Sequence, residues 1–96
     1  MDQNLLKMKQ DLSQELSWLL SKLPELKKAG KKEDLDYNYE QVIAKTSQLY
    51  YLNLYHINKI SNLTPDYKKE IKKKILAEYH EKLIKLEIIY RQIPVK

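Results

Sequence analysis

The chain has 96 residues, with 18 Lys and Arg against 13 Asp and Glu for a net charge of +5, 43% apolar residues and no cysteine. That length supports one domain with a modest core and little room for a deep, dry active site, and the lack of cysteine excludes a disulfide framework and any thiolate metal site. No apolar run approaches the roughly 20 residues that cross a bilayer, and one Gly with three Pro leaves few helix breakers, so a soluble, cytoplasmic, nearly all-α protein is expected.

The first predicted helix spans Asp2 to Leu23. Leu5, Met8, Leu12, Leu16, Leu19 and Leu23 recur there at steps of three or four and share one apolar seam, widened by Leu6 and Leu20. Trp18 lies beside the seam, as a cover for the core edge or as an exposed contact aromatic. Pro24 lacks a backbone donor and disfavours helix at the residue before it, so the helix ends or kinks there. Glu25 to Ala29 adds one turn closed by Gly30, which takes a left-handed cap without strain. Lys31 to Asp36 reads as a polar linker, with Asp34 or Asp36 as the next N-cap.

The second predicted helix spans Tyr37 to Ser61. Its first half is amphipathic through Tyr39, Val42, Ile43, Thr46 and Leu49. From Leu49 to Ile60 apolar and aromatic residues occupy most of the circumference, so this helix should lie in the middle of the molecule and be buried increasingly toward its C-terminal end. Asn62 suits a left-handed cap. Thr64 then caps a third helix with Pro65 in its first turn and Asp66 at the positive end of the dipole. That helix reaches Gln92, with Leu76, Tyr79, Leu83, Leu86, Tyr90 and Ile93 as its seam and Ile71, Ile75 and Ile89 beside it. Glu78 with Lys82, Glu81 with Lys85 and Glu87 with Arg91 are acid-first i,i+4 pairs that favour an unbroken rod.

These elements predict an all-α fold over residues 1–96, a three-helix antiparallel bundle built on a long helical hairpin. One short helix covers at most two faces of such a hairpin. The uncovered side, including Tyr50, Tyr51 and Tyr55, is the expected contact for a protein partner or a second copy.

Catalysis has little to work with. His56 and His80 are the only histidines, and their places in the hairpin are roughly 14 Å apart along its axis, too far for a shared metal. His56 is expected to hydrogen-bond between helices and His80 to face solvent. No Ser, His and Asp set and no Gly-rich phosphate loop is present, so neither enzyme activity, a cofactor, a metal nor a small-molecule substrate is expected. The charge points elsewhere. Residues 64–96 carry a net +4, and Lys68 stacks above Lys72 as Lys69 does above Lys73, giving two stripes suited to nucleic acid or another anion.

Read as a string, Tyr51-Leu52-Asn53-Leu54-Tyr55-His56-Ile57-Asn58-Lys59-Ile60, followed by Leu63-Thr64-Pro65-Asp66-Tyr67-Lys68-Lys69, resembles the helical domain of GINS subunits of the replicative helicase. In that family a long helix ends in a basic-Leu-x-Lys-Ile pattern and a Leu-Thr-Pro-Glu-Glu-like cap opens the next. Lys59 and Ile60 match, His56 stands where the family commonly has Arg, and the loop between is shortened. The resemblance covers residues 35 to 93 and implies a non-enzymatic accessory subunit in a DNA replication-type assembly. Length, basic charge and helix content are also similar to those of bacteriocin immunity proteins, which implies a role at a membrane face without a membrane span.

Overall fold

The computed structural model describes residues 3–95. Among them the elements are α1 (Gln3–Ser21), α2 (Leu23–Ala29), α3 (Lys32–Lys59) and α4 (Pro65–Arg91), with no strand. Three long helices and one short joint form the expected antiparallel helical bundle, in which α3 is the middle element. Contacts between Leu19 and Asn38 at one end and Lys9 and His56 at the other show α1 running antiparallel to α3. Tyr90 with Asn38 and Lys68 with Asn58 do the same for α4. Both outer helices pack on α3, and their backbones do not pack on each other.

The result is a slab of 53 × 25 × 15 Å. Its radius of gyration is 16.1 Å, above the roughly 13 Å of a compact chain of this length.

The helix ends follow local chemistry. Pro24 sits in the first turn of α2, where its missing N–H costs nothing, and Gly30 closes that helix at φ 63°, its N–H bonding to the Leu26 carbonyl at 2.9 Å. Thr64 caps α4, its Oγ1 accepting from the Tyr67 N–H at 3.2 Å, with Pro65 and Asp66 behind it. Two expected ends are corrected. Residues 32–36 are helical instead of a linker, since Gly30 alone turns the chain, and Lys31 precedes α3 with no side-chain cap. Glu33 and Asp34 instead favour the first turn through the dipole. At the other end α3 stops at Lys59 and Ile60 leaves in an extended conformation, so Asn62 is not a left-handed cap: among the described residues only Gly30 has positive φ.

The core lies at one end of the slab. Leu16 and Leu19 of α1, Val42 of α3 and Leu86 of α4 meet there, with Tyr39, Ile43, Leu49 and Tyr90 packed around them, and Val42 is 0% exposed. On α3 the buried side chains are Leu35, Asn38, Val42 and Thr46, a stripe at steps of three and four. Burial therefore falls toward the C-terminal end of α3, opposite to the expected rise. Between Thr46 and Leu86 no residue is buried, and Leu5 of α1 is the one buried side chain at that end among the described residues. The reason is geometric: α1 and α4 converge over the first half of α3 and flank the second half without closing over it. Met8 (52% exposed) and Leu76 (39%) accordingly leave the seams assigned to them, and Ile75 takes the inner position on α4. Trp18 is exposed too, with the Lys22 ammonium 5.3 Å from its ring centre.

Candidate functional site

The open half of the α3–α4 hairpin has two faces, separated by the line along which the helices touch. Ser47 and Tyr79 mark that line with a hydroxyl–hydroxyl hydrogen bond of 2.5 Å. Tyr50 lies against Tyr79, rings stacked at 4.4 Å and 14°. On one side is a groove of about 430 Å³, lined by Thr46, Leu49, Tyr50 and Asn53 of α3 and by Ile75, Glu78, Lys82 and Lys85 of α4, among others. Glu78 and Glu81 are followed by Lys82 and Lys85 along its α4 wall, so the groove has no single charge sign.

One residue further along each helix turns the side chain about 100° to the opposite face. Tyr51 stands there at 66% exposed and Tyr55, one turn on, at 48%. The step from Ile75 to Leu76 does the same on α4. The pairing of residue 47 with residue 79 and of residue 58 with residue 68 sets Leu76 level with Tyr51. Tyr50 is thus half-buried in the groove side, apart from Tyr51 and Tyr55, although its ring still reaches Tyr51 at 5.3 Å.

The four lysines singled out in α4 also divide. Lys68 is half-buried and donates from Nζ to the Asn58 carbonyl at 3.3 Å, satisfying one of the last carbonyls of α3 where cations are favoured. Lys72 is half-buried as well. Lys69 and Lys73 are exposed and, with Leu76 and His80, form one stripe at steps of four, three and four. Lys59 belongs with them, its ammonium 5.2 Å from the Tyr55 ring centre. Sequence reasoning missed Lys59, Leu76 and Met8 as members of this surface. The stripe 69, 73, 76, 80 was readable, but Leu76 had been given to the core.

His56 bridges helices: the Lys9 ammonium donates to its Nδ1 at 2.7 Å. Desolvation of the half-buried Lys9 lowers its pKa from the ordinary lysine value. His80 is exposed, and its ring lies 6.0 Å from that of Tyr79. No group of three His, Asp or Glu among the described residues is placed to hold a metal ion, and no helix is long and apolar enough to cross a membrane.

At the core end Asn38 was missed as a structural residue. It is buried, donates from Nδ2 to the Leu19 carbonyl at 3.0 Å and accepts from the Tyr90 hydroxyl at Oδ1, so one side chain ties α1, α3 and α4 together. Burial, with Tyr39 adding to it, pushes the Tyr90 phenol above its ordinary pKa. No family model, no curated protein and no solved structure matches the chain.

Proposed function

We propose that this protein is a non-enzymatic helical adaptor or accessory subunit that docks a protein partner on the open half of the α3–α4 hairpin. One observation carries the reading: Tyr51 and Tyr55 stand exposed one turn apart on a face that neither α1 nor the chain's own core covers. Exposed tyrosines on a rigid helix lose few rotamers on binding and bury large area, which is why such residues anchor interfaces. The likeness of residues 51–69 to GINS helical domains supports a replication-type assembly as the setting. Immobilised wild-type chain is expected to capture a partner that Tyr51→Ala and Tyr55→Ala lose, while circular dichroism shows unchanged helicity. Equal capture by the variants contradicts the proposal.

Direct binding of nucleic acid is the second reading, favoured by the outward Lys69 and Lys73. It requires affinity for a DNA duplex that falls steeply with salt and is removed by Lys69→Glu with Lys73→Glu.

A further inference from the structure

The surface around Tyr51 and Tyr55 has a composition that specifies the chemistry of what covers it. Between Glu40 and Asp66 the chain contains no carboxylate, so the whole second half of α3 and the turn after it contribute only neutral and basic groups. On the tyrosine face the neighbouring stripe of α4 adds exposed Lys69 and Lys73, and Lys59 lies over Tyr55. Acids border this face as well: Asp66 and Glu70 flank Lys69 on α4, and Asp11 follows Met8 by one turn on α1, all exposed, whereas three others are paired. Glu15 of α1 is held by Lys45 at 2.8 Å, Glu81 by Lys85 at 3.0 Å and Glu87 by Arg91 at 2.6 Å. Glu78 and Glu81 moreover line the groove on the other side.

Apolar atoms sit in the middle of this cationic rim. In the antiparallel register the Lys9–His56 contact sets Met8 level with Ile57, within a turn of Tyr55, and Leu76 is level with Tyr51. Met8, Tyr55, Tyr51 and Leu76, all exposed, therefore run as a row across three helices. With axes roughly 8–10 Å apart, the row spans about 16–20 Å, the length of a helix of about 11–13 residues.

We infer that this face binds an acidic amphipathic helix of a partner protein, its apolar residues on the Met8–Leu76 row and its carboxylates toward Lys59, Lys69 and Lys73. The inference rests on the adaptor reading and names the partner's chemistry. Two features favour a protein helix over nucleic acid. Met8 and Leu76 add aliphatic contact on either side of Tyr51 and Tyr55, which suits Leu or Ile side chains, whereas bases would stack on the two rings alone. Two of the five lysines nearby, Lys68 and Lys72, are turned inward and leave a short cationic rim in place of a track for a phosphate backbone.

The test uses the full chain and a fluorescein-labelled peptide of about 14 residues, with Leu on one helical face and Glu on the other, beside a charge-reversed peptide with Lys in place of Glu and a short DNA duplex. Anisotropy should show the Glu peptide binding about tenfold or more tightly than the Lys peptide, and losing about tenfold or more with Tyr51→Ala or with Lys69→Glu and Lys73→Glu. Equal binding of both peptides, lost with Tyr51→Ala, overturns the acidic partner and leaves the adaptor reading standing. Binding of neither peptide overturns the inference, and the capture experiment then decides the adaptor reading by itself. Binding of the duplex alone assigns the face to nucleic acid. Sedimentation that shows self-association removed by Tyr51→Ala assigns it to a second copy.

Discussion

From Leu35 to Thr46, α3 buries a side chain on every turn; from Ser47 to Lys59 it buries none. The second stretch is at least as rich in Leu, Ile and Tyr as the first, so apolarity does not separate them. What separates them is the company. The last turns of α1 and α4 bring Leu16, Leu19, Leu86 and Tyr90 together over the first stretch, and Asn38 hydrogen-bonds to both sides. Over the second stretch the same helices lie alongside and leave both faces of the slab to solvent. A greasy helix thus becomes core where two neighbours converge on it and becomes surface where they only flank it.

Truncation should sharpen this contrast most. Leu16→Ala or Leu86→Ala is expected to cost about 2–5 kcal/mol, a large share of the roughly 5–15 kcal/mol that holds a domain together. Leu76→Ala, an identical change on the same helix as Leu86, should stay within about 1 kcal/mol, since its side chain is already 39% exposed. Urea denaturation of the four proteins checks both; equal losses at positions 76 and 86 break the comparison.

Asn38→Ala should come next, at about 2–3 kcal/mol, because the Leu19 carbonyl and the Tyr90 hydroxyl lose their buried partner together. Tyr90→Phe added to Asn38→Ala should then cost less than the sum of the single changes, the mark of a shared network.

The smallest effects lie in alkali and have opposite signs at the two ends. Folding lowers the Lys9 pKa from 10.5, so below that value the unfolded chain holds more protons and stability rises with pH. Folding raises the Tyr90 pKa from 10.0, so above it the folded chain holds more protons and stability falls with pH. Denaturation midpoints from about pH 8 to 11 should lose the rising part in Lys9→Met and the falling part in Tyr90→Phe.

Much of the fold was legible because it is written in local signals. Thr64-Pro65-Asp66 marked the start of α4 and Pro24 and Gly30 bounded α2, each through backbone chemistry that needs no tertiary context. The direction of burial along α3 was not legible, since it depends on where α1 and α4 approach each other, and no residue within 49–60 records that. Leu35 and Asn38 were overlooked for a related reason. Once residues 31–36 are taken as linker, the stripe 35, 38, 42, 46 loses its first member, and a polar Asn at its second position looks like solvent. Of the candidate surface, Tyr51, Tyr55, Lys69 and Lys73 could be named from spacing, whereas Leu76, Met8 and Lys59 joined them only once the register between helices was known.

Residue-resolved native-state hydrogen exchange tests the unequal halves of α3 most directly. Amides around residues 38–46 and 86–90 should exchange at least about a hundredfold more slowly than those of residues 50–58, whose helix is held by flanking contacts alone. Uniform protection along α3 would contradict the account, because it would mean that the exposed tyrosine face is fastened as firmly as the core and is not the part of the molecule left open for a partner.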